Sequence, residues 1–324
     1  MVLYIYFMTP SCLTPGDKIG IVAFAKKITL KEIQPAVKIF ENWGLEVVIG
    51  KTIGSEYFQF SGDDTERAKD VQNMLDNSEI KAVISARGGY GCVRIIDKID
   101  FSSFLKSPKW LIGFSDITVF HAHIDANFNI PTVHATMPVF FKENTQESLD
   151  SLRKILVSGT MEYQIKSSNK ALGNNGKAIG PIFGGNLSIL HSLCGSASMG
   201  NTDGKILFLE DLSEYIYHVD RMLQNLKRNG LFENIKGLII GSFTEIKDGP
   251  VPFGKTPEEI IFDFCQDLNI PVFANFPAGH IYDNRALIMG KPVEMEVNEN
   301  TMRLKMVFEN GVENLIKKIP LSRE

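Results

Sequence analysis

A helix needs about 20 consecutive apolar residues to span a bilayer, and every apolar run in this sequence is much shorter. Its apolar opening, MVLYIYFM, is shorter than the core of a signal peptide, and no basic residues precede it. This opening is instead a candidate extra segment ahead of a true start near Met8. We therefore expect a cytoplasmic protein that has no membrane partner.

The sequence also lacks the usual signs of metal, disulfide and nucleic-acid chemistry. No H-E-x-x-H or similar ligand cluster occurs, so we expect neither a metal nor another cofactor. Basic residues form no run that could follow a phosphate backbone, and the net charge is −4, so no nucleic-acid partner is expected. The four cysteines form no CxxC pair, which predicts scattered free thiols in a reducing compartment: Cys12, Cys92, Cys194 and Cys265.

What remains is an ordinary globular composition, with 44% hydrophobic and 22% charged residues in 324 positions, enough for two domains. In the first half, apolar runs alternate with helical patterns. Such alternation predicts βαβ units and a parallel sheet covered on both faces, hence an α/β fold. The four runs are Ile19–Ala25, Leu45–Ile49, Ala82–Ala86 and Trp110–Phe114.

A polar stretch separates this half from a second one. It predicts a helix at about residues 145–157 and then a linker. Further strands are predicted at Ile206–Leu209, Leu238–Ser242, Val272–Phe276, Val293–Val297 and Met302–Phe308. We therefore expect a first domain over residues 1–142, a helix and linker over 143–177, and a second domain over 178–324.

The stretch KWLIGFSDITVFH, residues 109–121, reads as strand, sharp turn and helix, with Ser115 at the turn. A serine there exposes its hydroxyl beside the amides that open a helix. Both features suit a nucleophile whose reaction intermediate carries negative charge. The alternative is that Ser115 only caps the helix, which is the commoner role of a serine in this position.

Two other polar groups follow apolar strands, at the sheet edge where ligands of α/β proteins bind. Glu210 and Asp211 come after one strand and His280 after another. Together, Ser115, Glu210 and His280 have the composition of a nucleophile, an orienting carboxylate and a base. The alternatives are a turn cap for the carboxylates and an ordinary core or surface position for the histidine. His134 and His121 are the fallback bases.

An oxyanion hole needs two convergent N–H groups. The helix-opening amide of Asp116 is one candidate. The other lies in Gly88-Gly89, where the backbone can approach closely because glycine has no side chain. The competing interpretation of residues 87–91 is a phosphate loop, but the segment lacks both the Lys-Ser/Thr ending and the G-x-G-x-x-G spacing.

Five motifs in this order resemble the LD-carboxypeptidases, serine peptidases of the muropeptide-recycling type. They are ARGGYG at 86–91, GFSDIT at 113–118, GP at 180–181 with GGNLS at 184–188, FLED at 208–211, and GH at 279–280. The resemblance runs from about Leu13 to near Phe308. One departure is RALIMG at 285–290, where a turn containing leucine and proline is expected.

The resemblance implies an α/β fold with a Rossmann-like N-terminal domain built on a parallel sheet and a smaller, β-rich C-terminal α/β domain. It implies that Ser115 is the nucleophile and that Glu210 and His280 complete the triad. The oxyanion hole is then expected at the backbone of Gly89 and Asp116.

Three further residues are candidate substrate contacts: Arg87, Gly88 and Asn186. Turn and cap hydrogen bonds are the alternative for Arg87 and Asn186.

Members of this family are cytoplasmic homodimers that remove the terminal D-alanine from a murein tetrapeptide, after the L-centre of diaminopimelate or lysine. The resemblance therefore implies a murein tetrapeptide or related peptide as substrate. A sister branch cleaves microcin-type peptide–nucleotide antibiotics, although the GGNLS segment favours the recycling branch. The non-enzymatic alternative is a two-domain protein that binds a small molecule in a cleft.

Overall fold

Strands and helices alternate along the chain, as the apolar runs predict. The computed structural model describes residues 8–167 and 173–307, so the candidate extra segment at residues 1–7 and the predicted strand end at Phe308 lie outside the described residues. The strands are β1 (Lys18–Val22), β2 (Glu46–Ile49), β3 (Ile80–Ser85), β4 (Trp110–Gly113), β5 (Thr132–His134), β6 (Glu162–Lys166), β7 (Gly173–Asn174), β8 (Gly176–Asn186), β9 (Ile206–Leu212), β10 (Gly237–Thr244), β11 (Val272–Phe273), β12 (Leu287–Met289), β13 (Pro292–Asn298) and β14 (Thr301–Met306).

Eight α-helices are described, together with short 3-10 turns. The helices are α1 (Leu30–Asn42), α2 (Asp64–Asp76), α3 (Ser102–Lys106), α4 (Thr118–Phe128), α5 (Gln146–Ser158), α6 (Leu187–Leu193), α7 (Ile216–Arg228) and α8 (Pro257–Cys265). The 3-10 turns are Cys92–Arg94, Ile96–Lys98, Ser115–Ile117 and Pro138–Phe140. In the part of the chain that the structure describes, no helix is long and apolar enough to cross a membrane.

Helix α2 shows how local sequence sets these boundaries. Asp63 is its N-cap and accepts hydrogen bonds from the N–H groups of Thr65 and Glu66, each at 2.8 Å. The Glu66 carboxylate reaches back to the N–H of Asp63, which completes a capping box. The cap and the capping box therefore set the residue at which α2 begins.

The first sheet has six strands in the order β2-β1-β3-β4-β5-β12. Its first five strands in this order are parallel, which confirms the predicted α/β class, and the order 2-1-3-4-5 is that of flavodoxin-like doubly wound sheets. In such sheets, ligands bind beyond the carboxyl ends of the strands. The loops after β3 and β4 carry the predicted glycines and Ser115 at that edge.

The second sheet has eight strands in the order β6-β14-β13-β8-β9-β10-β11-β7, so the β-rich second region is confirmed. Strands β8 to β11 run parallel to one another, and the others pair in antiparallel fashion. Several of the described strands were not predicted. Strands β6 and β7 lie within the expected linker, β8 is the longest strand in the second sheet, and β12 lies in the RALIMG segment.

Strand β12 links the two regions of the chain. It follows eleven strands in sequence, yet it pairs with β5 at the edge of the first sheet, with Leu287 opposite His134 and Met289 opposite Thr132. The first sheet is therefore not built from residues 1–142 alone. The domain boundaries expected at residues 142 and 178 stay predictions.

Replacing Leu287 with alanine tests how strongly β12 is docked. Leu287 is fully buried, so Leu287→Ala should lower the free energy of unfolding by about 2–5 kcal/mol. The matched control is Leu30→Ala, because Leu30 is 50% exposed at the start of α1, and a change within about 0.5 kcal/mol is expected. Urea unfolding measures both. Equal effects of the two substitutions would contradict the docked position of β12.

Candidate active site

Ser115 lies in the sharp turn between β4 and α4, as the sequence predicts. It begins the 3-10 turn Ser115–Ile117 and has a φ of +63°, a left-handed conformation that is unfavourable for residues other than glycine. Holding a residue other than glycine in this conformation costs about 1–3 kcal/mol, and such residues are found most often at functional sites. The side chain of Ser115 caps neither the turn nor α4, so the capping alternative is wrong.

The loop at residues 87–91, here called the glycine loop, packs directly against Ser115. A Cβ placed on Gly88 would lie 3.1 Å from the Ser115 Cβ and 3.2 Å from its Oγ. The loop can therefore approach the hydroxyl this closely because Gly88 has no side chain. Asp116 is the second residue of the 3-10 turn Ser115–Ile117, so its N–H has no acceptor within that turn.

Two buried charged residues tether the glycine loop. The Asp116 carboxylate accepts a hydrogen bond from the Cys92 N–H at 2.8 Å. Arg67, which is fully buried, donates to the carbonyls of Gly91 at 3.2 Å and Phe24 at 2.6 Å. Burial raises the pKa of Asp116 above its usual range, against the opposing effects of the Cys92 amide and the Arg67 charge. From the sequence, only the backbone amide of Asp116 was a candidate, and this role of its side chain was missed.

Glu210 and His280 are joined by a hydrogen bond of 2.8 Å between Oε2 and Nδ1. Glu210 is fully buried, and the His280 side chain is 12% exposed. Because a carboxylate accepts, the neutral imidazole carries its proton on Nδ1, which leaves Nε2 as an acceptor. Burial lowers the pKa of His280, but the carboxylates of Glu210, Asp211 and Glu245 outweigh burial and hold that pKa above its usual range.

Backbone features make room for this pair. Strand β10 is irregular between Ile240 and Phe243, beside Glu210, and a Cβ on Gly241 would lie 3.2 Å from the Glu210 Cβ. Gly279 has a φ of +115°, and a Cβ there would lie 2.8 Å from Glu210 Oε2. The turn is fixed by the Gly279 N–H, which donates to Asn284 Oδ1 at 2.9 Å. No local sequence signal marks Asn284 for this role.

His280 also lies beside the serine turn. Its ring contacts that of Phe114, the residue before Ser115, with the centroids 4.8 Å apart. Within residues 8–167 and 173–307, the Ser115 hydroxyl makes no hydrogen bond, so the expected bond between Ser115 and His280 is not formed here. Such bonds are often long without substrate and tighten when substrate binds.

The fallback bases His121 and His134 are fully buried beneath the site. His121 Nε2 is hydrogen-bonded to the Gly113 carbonyl at 2.9 Å, and burial lowers its pKa to about 4. His134 packs between the rings of Phe114 and Phe208, and burial lowers its pKa well below the usual range. Neither histidine is open to a substrate, so both fallback assignments are wrong.

Asp211 makes different contacts from Glu210, because adjacent residues of a strand point to opposite faces. Its Oδ1 accepts from the Asn186 side chain and its Oδ2 from the Ser188 N–H, each at 2.9 Å. Burial, with the neighbouring Glu210 charge, raises the pKa of Asp211 to about 7. Asn186 caps α6 through its Oδ1, which accepts from the Ile189 N–H. The polar atoms of its side chain are thus occupied within the fold.

The remaining candidate contacts lie on the glycine loop. Arg87 is half-buried, and its Nη1 donates to the Lys27 carbonyl at 3.2 Å. This bond joins distant parts of the chain and is neither a turn nor a cap hydrogen bond, so a substrate contact of Arg87 stays a prediction. Gly88 is buried and Gly89 is exposed. No group of three or more His, Cys, Asp or Glu side chains among the described residues could hold a metal ion.

Comparisons with known proteins match both halves of the chain to the two domains of one family. Residues 19–135 match the LD-carboxypeptidase N-terminal domain, and residues 179–295 match the LD-carboxypeptidase C-terminal domain. The probable murein peptide carboxypeptidase of Bacillus subtilis (strain 168) is 32% identical over 311 residues, covering 94% of this chain and 95% of that protein. The microcin C7 self-immunity protein MccF of Escherichia coli is 25% identical over 325 residues, covering 90% and 94%.

A solved structure gives the same result in three dimensions. The crystal structure of muramoyltetrapeptide carboxypeptidase from Oxalobacter formigenes superposes with a TM-score of 0.81 at 26% identity. The match covers 90% of this chain and 99% of that one. Similarity therefore extends over both sheets and includes every segment that carries a candidate site residue.

Asp116→Ala tests the tether of the glycine loop. It leaves the Cys92 N–H without its acceptor, so the free energy of unfolding should fall by about 1–3 kcal/mol. Hydrogen exchange at the Cys92 amide should become faster. Asp116→Asn keeps an acceptor oxygen, so its free energy of unfolding should fall less. Asp97→Ala, at an exposed site, serves as the control. Unchanged exchange at Cys92 in Asp116→Ala would contradict the tether.

Proposed function

The chain belongs to the LD-carboxypeptidase family and is a serine carboxypeptidase, and from this premise we propose that it removes the terminal D-alanine from murein tetrapeptides. The observation that carries the proposal is the Glu210–His280 hydrogen bond beside the Ser115 turn. As the family resemblance implies, the enzyme acts in peptidoglycan recycling as a cytoplasmic homodimer.

The proposed reaction has two stages. Ser115 Oγ attacks the carbonyl carbon of the L,D-peptide bond, while His280 Nε2 takes the hydroxyl proton. His280 then gives this proton to the leaving amine, so D-alanine departs and an acyl-enzyme remains. Water, deprotonated by His280, attacks the ester and releases the tripeptide and Ser115. Glu210 holds the imidazole in the required tautomer and stabilises its protonated form throughout.

The oxyanion that forms in each stage needs donors at the serine turn. We assign this role to the backbone N–H groups of Gly89 and Asp116. The assignment is supported by the contact between Gly88 and Ser115 and by the tether that holds the glycine loop in place. Preorganised donors of this kind are worth about 10²- to 10³-fold in turnover.

A second candidate activity is cleavage of a microcin-type peptide–nucleotide conjugate. The observation that favours it is the similarity to the microcin C7 self-immunity protein over 90% of this chain. The same serine, histidine and glutamate would serve, because both substrates are cleaved at an acyl carbon. Incubation with a peptidyl-adenylate substrate separates the two activities. A two-domain binding protein without turnover, the non-enzymatic alternative, does not account for the family membership.

Ser115→Ala tests the nucleophile. D-alanine release from a murein tetrapeptide should fall by about 10³-fold or more, because no hydroxyl remains to form the acyl-enzyme. Mass spectrometry of the tripeptide and of free D-alanine measures the loss. The control is Ser78→Ala, at an exposed site after α2, which should keep full activity. Near-normal release by Ser115→Ala would exclude the proposed mechanism.

Glu210→Gln tests the orienting carboxylate through pH. His280 must be neutral to accept a proton, so kcat/KM rises with pH through a pKa that carboxylates hold above the usual range. Without the Glu210 charge, burial becomes the dominant effect on the His280 pKa and lowers it. The acid limb should therefore move to lower pH, and turnover should fall by about 10⁴-fold.

The pH profile of kcat/KM, measured for wild type and variant, checks this shift. Glu41→Gln, an exposed site on α1, is the control and should leave the profile unchanged. An acid limb that stays in place or moves to higher pH in Glu210→Gln would count against the assignment.

A further inference from the structure

One lysine, Lys26, lies across the glycine loop next to the candidate nucleophile. A Cβ placed on Gly89 would lie 2.5 Å from Lys26 Cδ, 2.6 Å from its Cγ and 2.9 Å from its Cε. Gly89 is thus the residue over which the lysine side chain extends, and the adjacent Gly88 touches Ser115. Lys26 is half-buried and follows the buried end of β1.

The neighbouring cations are engaged elsewhere, whereas Lys26 is not. Lys27 pairs with Glu56 at 3.5 Å, Arg94 pairs with Asp64 at 2.7 Å, and Arg87 donates to the Lys27 carbonyl at 3.2 Å. The Lys26 ammonium makes no ion pair or hydrogen bond within the described ranges 8–167 and 173–307. It is therefore a positive charge placed at the loop without an internal carboxylate.

Carboxylates lie on the His280 side of the site. Glu210 accepts the hydrogen bond from His280, and the charges of Glu210, Asp211 and Glu245 act on that ring. A substrate carboxylate is repelled by such charges and attracted by the Lys26 ammonium. The charges near the serine turn therefore favour an anionic group at Lys26.

An enzyme that removes one C-terminal residue must bind a free carboxylate close to the bond it cuts. That carboxylate is three bonds from the scissile carbonyl carbon, within about one residue length, or about 3.8 Å. Its anchor must consequently lie on a segment that touches the nucleophile. The glycine loop is such a segment, and Lys26 is the unpaired cation lying on it.

We propose that the Lys26 ammonium binds the terminal carboxylate of the departing D-alanine and makes the enzyme selective for peptides with a free C-terminus. This inference rests on the proposed function and assigns a specificity-determining residue to it. It also explains the glycine at position 89. A side chain there would collide with the Lys26 stem, and its φ of +121° would strain other residues.

The experiment compares two substrates on four proteins. The substrates are a murein tetrapeptide with a free terminal D-alanine and the same peptide ending in D-alaninamide. The proteins are wild type, Lys26→Met, Lys26→Arg and the matched control Lys27→Met. Wild type and Lys27→Met should prefer the free acid in kcat/KM. In Lys26→Met, kcat/KM for the free acid should fall by about 10- to 100-fold, mainly through a higher KM, whereas kcat/KM for the amide should change little.

Lys26→Arg keeps the positive charge, so it should retain most of the preference for the free acid. A Lys26→Met protein that keeps the wild-type preference overturns the inference. An equal loss on both substrates also overturns it, because the lysine would then act on the oxyanion and not on the carboxylate. A wild-type protein that releases neither D-alanine nor D-alaninamide overturns the proposed function itself, and is recognised by its own inactivity before any variant is compared.

Discussion

The site depends on one constraint: a fully buried carboxylate, Glu210, must be satisfied, and His280 is its hydrogen-bonded partner. The surroundings are shaped for this bond. Glycines at 241 and 279 leave space for the carboxylate, and Asn284 fixes the turn that carries His280. That turn runs from β11 in the second sheet to β12 in the first. His280 is therefore held between the two sheets, where it contacts the residue before Ser115.

The serine side of the site is organised by backbone and not by side-chain hydrogen bonds. Ser115 is held in a left-handed conformation, and Gly88 lies against it. Asp116 and Arg67, two buried charged residues, restrain the loop that carries Gly88 through hydrogen bonds to its backbone and to the adjoining Cys92 amide. Such buried groups are costly unless paired, so they are better suited to fixing a geometry than to raising stability. These buried groups thus restrain the half of the site to which we assign the oxyanion hole.

Much of the fold could be predicted because its signals are local. The apolar runs located β1 to β4. Strands β8 and β12 were missed for different reasons. β8 contains four glycines and a proline, which hide a strand pattern, and β12 is three residues long and is defined by its partner β5. Ser115, Glu210 and His280 could be selected as strand-end residues, but their approach depends on pairings between distant segments. Lys26 was missed because a lysine after a strand gives no signal beyond solvent exposure.

The position of β12 also bears on how the protein is made. Residues up to His134 leave the ribosome long before Leu287, so β5 is an edge strand with unpaired N–H and C=O groups during most of synthesis. Exposed edges are templates for incorrect pairing with other chains. The segment that closes this edge also brings His280 to the serine turn. The pairing of β12 with β5 and the placement of His280 beside Ser115 consequently depend on the same late segment of the chain, so a chain cut before residue 280 would lack both.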